Sequence, residues 1–429
     1  MKVAILTYGT RGDVQPYAVI GHALAARGHD IRVAACENLV GMVEATGLDC
    51  VSIPFDTQEL MSSDQGRSFL STGRTTRFLR EVMRRETEVR DEIGAAFIAA
   101  CKDADVIISN VLTIVRAASL GEATGATVHA VYTVPVEPTG EFACPYLIRS
   151  TKAPTRAIRR GSHVAFESVY WQGSRANDAA FRRQLGLPPA AGNGLRALRH
   201  TRRPVHHLVT RELLAEPGDW PSHLRNVGTV EVPTQLRAAW GEQAGRSDLA
   251  GWLDAGGPPV FFGFGSMPVL DPAAALALIR EVAQRLGVRA LVGAGWSDLA
   301  SDPTGADVFV AKSFDHAEVL PRCAAAVHHG GAGTTQTVMR AGIPAVVAHV
   351  FADQPMWAMR VEKQGLGAST PYQSLTADRL AALLRPLLRR AVRERCAAAA
   401  ARMAKEDAVG AVVSLVEGGA QEALPGVPS

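Results

Sequence analysis

The chain has 429 residues, of which 47% are hydrophobic and 20% charged, so it is a globular protein long enough for two domains of ordinary size. Its formal net charge is only +3, and the basic residues are interspersed with acidic ones, which argues against a nucleic-acid-binding protein. The six cysteines lie far apart, which excludes a disulfide scaffold and closely paired metal ligands, and we expect them to be reduced.

Apolar runs of strand length alternate with helix-period segments through the first half of the chain, which predicts a parallel sheet wrapped by helices. A first helix is predicted over residues 15–27, ending at Gly28. Two stretches, 56–100 and 136–200, interrupt this alternation and are interpreted as ligand-facing loops. The predicted strands of this half span residues 3–9, 31–36, 50–55, 106–110, 128–135 and 205–210.

The composition changes between residues 215 and 250, where prolines and glycines accumulate and a new unit begins. We expect a first domain over 1–227, a linker over 228–245 and a second domain over 246–429, whose last helices can pack back on the first domain. The second half predicts strands at 258–265, 288–295, 307–314, 324–329 and 344–350. The predicted fold class is therefore α/β, with two doubly wound Rossmann-like domains facing across a cleft.

The stretch GTRGDVQP follows the first predicted strand and carries a carboxylate, Asp13, just ahead of the first helix. One interpretation is a helix N-cap, which stabilises the charge of the carboxylate. The other is a reactive group at the cleft, because ligands bind outside the carboxyl ends of parallel strands.

The stretch HHGGAGTT, residues 328–335, carries the most information about ligands. Glycines after a strand leave bare backbone N–H groups at the start of a helix, where the N–H groups and the helix dipole favour phosphate. A neighbouring imidazole adds a donor, and the spacing fits neither a Walker lysine nor the usual dinucleotide motif. The stretch indicates a nucleoside diphosphate site; the alternative is a strand-to-helix turn with buried histidines.

Two further loops follow strands of the second half. GFGSM, residues 263–267, offers a hydroxyl from Ser266 beside two glycines. HVFADQPMWA, residues 349–358, places Asp353 beside Gln354, and a carboxylate next to an amide suits vicinal sugar hydroxyls. Capping of the next helix is the alternative role for this last pair.

These motifs, together with FADQPMWAMRVEKQGLG, resemble the nucleotide-sugar glycosyltransferases of the GT-B fold. The resemblance is strongest to the bacterial natural-product glycosyltransferases and the sterol glucosyltransferase type. It implies that Asp13 is the general base and that Asp353 and Gln354 hold the hexose. The diphosphate would be held by Ser266, His329 and the backbone around Gly331, Gly333 and Thr334, and Gly12 would be a further nucleotide-sugar contact. The resemblance also implies that the first domain binds the acceptor and the second the nucleotide sugar.

The chain departs from the family at Asp315, where members often show a proline. This leaves the residue that stacks on the base open, with Trp296 and Phe314 as candidates, and UDP is not distinguished from TDP. The aromatic residues Phe142, Tyr146 and Tyr170 suggest a polyketide, macrolide, aromatic or sterol-like acceptor, although core packing explains them equally well.

The predicted activity is inverting transfer of a hexose or deoxyhexose from a UDP- or TDP-sugar to a hydroxyl of a small hydrophobic acceptor. Alternatives are a sterol or lipid glucosyltransferase and a nucleotide-sugar epimerase of the same fold. We expect no cofactor and no metal, because the aspartates of Asp103-Ala104-Asp105 precede a strand at its amino end, away from the cleft. With no apolar run of about 18 residues, we also expect a cytoplasmic monomer or homodimer without stable membrane insertion.

Overall fold

The structure is a computed structural model and describes residues 1–72, 75–147, 155–242, 246–263, 265, 271–295 and 305–419. Its strands form two sheets, one from each half of the chain, and every strand pair is parallel.

The first sheet has seven strands in the order β3-β2-β1-β4-β5-β6-β7. Its central strands β1 and β4 are mostly apolar and, except for Lys2, buried, because helices cover both faces of the sheet. In chain order the strands are β1 (Lys2–Leu6), β2 (Asp30–Cys36), β3 (Asp49–Ile53), β4 (Val106–Ser109), β5 (Thr127–Tyr132), β6 (Val205–His207) and β7 (Leu224–Asn226).

Among the described residues of this half, ten α-helices connect these strands or follow them. They are α1 (Arg11–Ala25), α2 (Val40–Glu44), α3 (Thr57–Ser62), α4 (Asp64–Thr72), α5 (Thr75–Glu88), α6 (Arg90–Ala100), α7 (Ile114–Thr124), α8 (Arg156–Gln184), α9 (Gly194–His200) and α10 (Thr234–Ala239).

The second sheet has six strands in the order β10-β9-β8-β11-β12-β13. The strands are β8 (Val260–Gly263), β9 (Ala290–Gly293), β10 (Val308–Ala311), β11 (Ala325–His328), β12 (Ala345–His349) and β13 (Gly367–Pro371). The helices are α11 (Arg246–Asp254), α12 (Pro272–Leu286), α13 (His316–Val319), α14 (Ala332–Arg340), α15 (Gln354–Lys363), α16 (Ala377–Leu387), α17 (Arg390–Met403) and α18 (Ala408–Gly419).

The two halves are joined in several places. Val412 and Val416 of the last helix, α18, are fully buried in the hydrophobic cluster of the first sheet. The side chain of Gln336 on α14 donates to the Leu208 carbonyl at 3.0 Å and accepts from the Thr210 N–H at 2.7 Å, just beyond β6. This buried amide ties helix α14 of the second half to the main chain of the first.

In both sheets the strand order reverses between two central strands, β1 and β4 in the first and β8 and β11 in the second. Such reversals open a crevice at the carboxyl ends of the strands, where ligands bind in this architecture. The loops that follow β1, β11 and β12 carry Asp13, His329 and Asp353, respectively.

The structure confirms the predicted fold class of two parallel α/β units and corrects several elements. Strands β7 and β13 were not predicted, and the stretches 56–100 and 136–200, expected to be loops, contain helices α3 to α6, α8 and α9. Exposed ion pairs one turn apart, such as Arg84 with Glu88, stabilise these charged segments as helices. The first helix begins at Arg11 and not at residue 15, which changes the setting of Asp13.

Candidate active site

Asp13 is the third residue of α1, so the N-cap expectation was wrong: the cap position is Thr10. The Asp13 Oδ2 accepts hydrogen bonds from the Thr10 N–H at 2.9 Å and from the Thr10 hydroxyl at 3.2 Å. The carboxylate therefore closes a capping box from inside the helix. Its other oxygen makes no hydrogen bond among those observed in the described part of the chain.

Gly9 makes room for this carboxylate. Its φ of +130° belongs to a backbone region that other residues avoid, and a Cβ added there would lie 2.4 Å from Asp13 Oδ2. The Gly9 backbone therefore approaches the Asp13 carboxylate closely, and Asp13 is only partly exposed. Burial raises the pKa of Asp13 to about 6, although the two hydrogen bonds from Thr10 oppose the shift. A carboxylate with this pKa is ionised at neutral pH and is a better proton acceptor than an exposed one.

The two adjacent histidines after β11 have different roles. His328 is fully buried, and its Nδ1 accepts the Gly330 N–H at 3.1 Å, which shapes the turn into α14. His329 lies on the other side of the strand end, is partly exposed, and begins the segment that leads to the helix N-terminus. The turn role foreseen as an alternative therefore belongs to His328.

The imidazole of His329 lies between two loops at the start of α14. A Cβ on Gly331 would be 2.6 Å from its Nε2, and a Cβ on Gly265, after β8, would be 2.8 Å from its Cε1. Burial lowers the pKa of His329 to about 4, and the backbone of Gly263 opposes that shift. The ring is consequently neutral at physiological pH, with one N–H to donate.

The N-terminus of α14 supplies further donors to the same place. Gly331 is the cap residue and has no capping side chain, so the first backbone N–H groups of the helix have no intrahelical partner. Gly333 is exposed and Thr334 partly exposed at this end, whereas Thr335 is buried and donates its hydroxyl to the Gly331 carbonyl. These groups can bind an anion. Ser266 lies outside the described residues.

Asp353 and Gln354 open helix α15, but they act differently. The Asp353 carboxylate accepts from the Trp357 indole N–H at 2.5 Å, one turn along the helix, and makes no cap hydrogen bond. The Gln354 side-chain oxygen accepts the N–H groups of Val350 and Phe351 at 2.8 and 3.2 Å, so it fixes its own loop. The sequence did not predict the role of Trp357, although its i,i+4 spacing from Asp353 was a usable signal.

Asp13 and Asp353 belong to different halves of the chain and interact electrostatically. Burial raises the pKa of Asp353 to about 6, the Trp357 hydrogen bond lowers it, and the negative charge of Asp13 raises it further. Tyr146 lies near both: burial raises its pKa, and the charges of Asp353 and Asp13 add to that increase. The loops after β1 and β12 and the segment around Tyr146 therefore meet at one place.

The expectation that Phe314, in the segment after β10, stacks on the base of the nucleotide was wrong. Phe314 is 4% exposed, with Phe261 at its edge and His316 stacked on it at a centroid distance of 4.5 Å. A ring covered in this way cannot also stack on a base. His316 is partly exposed and lies over Phe314, and the sequence did not single it out. Trp296 lies outside the described residues.

The aromatic residues expected to contact an acceptor divide into two groups. Phe142 is 5% exposed and packs against His163 and Trp220, so it belongs to the core and the acceptor-contact expectation was wrong. Tyr146 stacks on Phe166 at 5.2 Å, and Phe166 in turn contacts Tyr170 at 5.9 Å. This row of three partly exposed rings leads along α8 from the vicinity of Asp13.

Among the described residues, no group of three or more His, Cys, Asp or Glu side chains is arranged to hold a metal ion. The Asp105 carboxylate accepts the Lys2 N–H at 2.7 Å at the amino ends of β1 and β4, opposite the site, so the DxD stretch ties two strands together. No described helix combines the length and apolarity needed to cross a bilayer.

Two family descriptions match the chain. Residues 3–113 match the glycosyltransferase family 28 N-terminal domain, and residues 296–417 match the C-terminal domain of the erythromycin biosynthesis protein CIII-like family. An uncharacterized glycosyltransferase of Mycobacterium tuberculosis is 33% identical over 99% of this chain and 100% of its own length. A sterol 3-beta-glucosyltransferase of Arabidopsis thaliana is 29% identical over 96% of this chain and 67% of its own.

Solved structures share the fold. The glycotransferase of kitacinnamycin superposes with a TM-score of 0.69 at 20% identity, covering 97% of this chain and 98% of its own. The glycosyltransferase VinC, solved in complex with DTDP, gives a TM-score of 0.61 at 16% identity, covering 98% of this chain and 100% of its own.

Proposed function

Because the chain belongs to the glycosyltransferases and has the GT-B fold, we propose that it transfers a hexose or deoxyhexose from a UDP- or TDP-sugar to a small hydrophobic acceptor. The relationship confirms the resemblance to natural-product and sterol enzymes, and it favours transfer over the epimerase alternative. In this proposal the acceptor presents a hydroxyl, the anomeric configuration inverts, and no metal ion takes part.

The observation that carries the proposal is the convergence of three loops. His329 and the N-terminus of α14 offer donors for a diphosphate, and the Asp353 carboxylate stands at the next strand end, where the hexose would lie. Asp13 approaches from the other half, near enough to influence the titration of Asp353. A donor bound in this order would present its anomeric carbon between the diphosphate site and Asp13.

In the proposed reaction the acceptor oxygen attacks the anomeric carbon as the bond from that carbon to the diphosphate oxygen breaks. The hydroxyl proton passes to the free carboxylate oxygen of Asp13, and the nucleoside diphosphate leaves with the bonding electrons. The backbone N–H groups at the start of α14 and the neutral His329 stabilise the charge on the leaving group. Attack opposite the leaving group inverts the configuration.

On the donor side, we assign diphosphate or hexose contacts to Gly12, Ser266, His329, Gly331, Gly333, Thr334 and Asp353, with Gln354 acting mainly through its own loop. We propose that His316, stacked over the buried Phe314, stacks on the base of the nucleotide. Trp296 is a second candidate for this role. The DTDP bound by VinC favours TDP, and a UDP-sugar remains the alternative.

We propose that the acceptor lies along the row of Tyr146, Phe166 and Tyr170, because flat apolar rings suit a polyketide, macrolide or aromatic aglycone. A sterol or lipid acceptor is a second candidate, favoured by the likeness to the plant sterol glucosyltransferase. We further propose an acceptor domain over 1–227, a linker over 228–245 and a donor domain over 246–429. The six free cysteines fit a cytoplasmic monomer or homodimer.

The experiment that tests the proposal has two stages. Calorimetry with UDP and TDP measures nucleotide affinity, and the preferred nucleotide's sugars are then incubated with a mixture of aromatic, macrolide and sterol aglycones in the presence of excess EDTA. We expect binding of one nucleotide and a glycosylated product of inverted configuration. Absence of nucleotide binding, a product that retains configuration, or a rate that returns only with Mg²⁺ or Mn²⁺ would contradict the corresponding part of the proposal.

A further inference from the structure

Four charged side chains form a chain of ion pairs between the two halves of the molecule. Arg11, two residues before Asp13, donates to Glu242 Oε1, and the other Glu242 oxygen lies 3.7 Å from Arg237 Nη1. The same Arg237 nitrogen is 3.1 Å from Asp315 Oδ1. The pairs therefore run from the loop of Asp13, through the segment 237–242, to the residue that precedes His316.

Burial distinguishes this series of ion pairs from the many ion pairs at the surface. Glu242, Arg237 and Asp315 are 5%, 7% and 8% exposed. Buried ion pairs cost desolvation energy, and removing one partner leaves a charge without compensation, so such groups are tightly held in one arrangement. Arg11 is the partly exposed end of the chain, at the crevice.

The segment 237–242 is held by a contact to α2 and by hydrogen bonds of its own. Trp240 donates its indole N–H to the Met42 carbonyl at 2.8 Å, and the Arg11 guanidinium lies 5.8 Å from the centre of its ring. Arg237 donates to the Val232 carbonyl at 3.0 Å, and the Glu242 N–H donates to the Arg237 carbonyl at 2.9 Å. These contacts hold Trp240 against α2 and keep Arg237 and Glu242 close to each other.

Asp315, which stands where the family often shows a proline, has two roles in this structure that a proline could not fill. Its Oδ1 accepts the Ala317 N–H at 2.8 Å and so begins helix α13, directly under His316. The guanidinium of Arg11 lowers the pKa of His316, after the larger effect of burial, which places the loop of Asp13 near the segment proposed to meet the base. One carboxylate therefore both caps α13 and ends the ion-pair chain.

We propose that the chain Arg11–Glu242–Arg237–Asp315 couples the nucleotide-base segment to the Asp13 loop, with Glu242 and Asp315 acting as positioning residues for the general base. The inference rests on the proposed function, because it takes the segment after β10 to meet the donor. When the nucleotide base binds against the segment after β10, Asp315 is held in place. The ion pairs transmit that restraint to Arg11 and hence to the first turn of α1. Binding of the donor thereby orders the general base, Asp13, before the acceptor arrives.

Hydrogen exchange at the Thr10 and Asp13 amides measures the coupling directly. The Thr10 N–H is bonded to the Asp13 carboxylate and the Asp13 N–H to the Thr10 carbonyl at 2.8 Å, so their exchange reports opening of the capping box. Asp315→Asn keeps the cap of α13 but removes the charge. We expect it to speed exchange at these two amides, in the other half of the molecule, and to abolish the protection that saturating UDP or TDP gives there. Each change should be at least about 5-fold, the lower end of measured coupling between sites.

Arg402→Gln is the matched control. It removes another ion pair between the two halves, in which Arg402 donates to Glu212 at 2.6 and 2.8 Å, and it leaves Arg11, Glu242, Arg237 and Asp315 unchanged. Exchange at Thr10 and Asp13 should then resemble wild type. Glu242→Gln should reproduce the effect of Asp315→Asn, and Glu242→Asp, which keeps the charge, should restore much of the protection. If Glu242→Gln does not fold, Asp315→Asn decides alone.

Two results would overturn the inference and are distinguishable. Wild-type exchange rates in Asp315→Asn, with nucleotide binding and sugar transfer intact in the wild-type protein, would remove the coupling and leave the proposed function standing. Failure of wild-type protein to bind either nucleotide would remove the proposed function and the coupling with it.

Discussion

Asp13 and Asp353 lie on opposite halves of the molecule, yet the negative charge of Asp13 raises the pKa of Asp353. Burial is the larger cause for both carboxyls and raises each pKa to about 6. Repulsion between two charges is mutual, so neutralising one of the two carboxyls eases ionisation of the other.

The transfer rate should fall as the pH drops through about 6, because protonated Asp13 cannot accept a proton. Asp353→Asn removes the neighbouring charge and eases ionisation of Asp13, so the acid limb of the pH–rate profile should move to lower pH, even though donor affinity weakens. The measurement is kcat against pH at saturating donor for both proteins. An unmoved acid limb would show that the two carboxyls do not interact during turnover.

His329→Ala should weaken UDP or TDP binding by about 1.5–3 kcal/mol, the range for a hydrogen bond to a charged group. Because burial lowers the pKa of His329 to about 4, the imidazole is already neutral at pH 5. The loss measured by calorimetry should therefore be the same at pH 5.5 and pH 8. A loss seen only at the lower pH would mean that the charged imidazolium binds the diphosphate.

Gly9→Ala tests the close approach of the Gly9 backbone to Asp13, with Gly28→Ala at the other end of α1 as the control. Both glycines have positive φ, +130° and +86°, so alanine strains either backbone and lowers the free energy of unfolding. Only at Gly9 would the new Cβ meet the Asp13 carboxylate, whereas nothing lies within 4 Å at Gly28. We expect kcat to fall by about 10²-fold for Gly9→Ala alone, the cost of misplacing a reacting group by about 1 Å. Equal losses of activity in the two variants would attribute the effect to stability.

The sequence predicted the central strands of both sheets because strands covered on both faces are continuously apolar. It also predicted the edge strands β3 and β10, but not the opposite edge strands, β7 and β13. Strand β7 has only three residues, LRN, and β13 reads GASTP, whose glycine and proline are rare in strands. Both form because a paired neighbour, β6 or β12, offers its free edge.

The sequence placed Asp13, His329 and Asp353 at strand ends correctly because each stands beside a local signal, a glycine or a helix start. It could not show which aromatic rings are buried, and so it misassigned Phe142 and Phe314. Nor could it pair Arg11 with Glu242, which are 231 residues apart. Long-range contacts of this kind depend on how the two halves pack and leave no local pattern.

Asp13→Asn distinguishes a base from a structural group, and stability and turnover should change in opposite directions. The side-chain oxygen of asparagine can still accept the Thr10 N–H, so the capping box survives. The folded-state pKa of Asp13 is raised from 3.8 to about 6, so the contribution of Asp13 to wild-type stability is greatest at low pH and is lost as the pH rises from about 4 to about 6. Above pH 6 the folded protein carries an ionised, buried carboxylate that the variant lacks.

At pH 7.5 we therefore expect Asp13→Asn to be more stable than wild type by about 1–3 kcal/mol in urea unfolding, and the difference to vanish near pH 4. Over the same comparison kcat should fall by about 10²–10⁴-fold, the usual contribution of a positioned base, because the amide cannot take the hydroxyl proton. Nucleotide affinity serves as the control and should stay near the wild-type value, since Asp13 belongs to the half opposite the diphosphate site. A variant that gains stability and keeps the wild-type kcat would show that the carboxylate only closes the helix. One that loses both stability and activity would show that Asn disturbs the capping box.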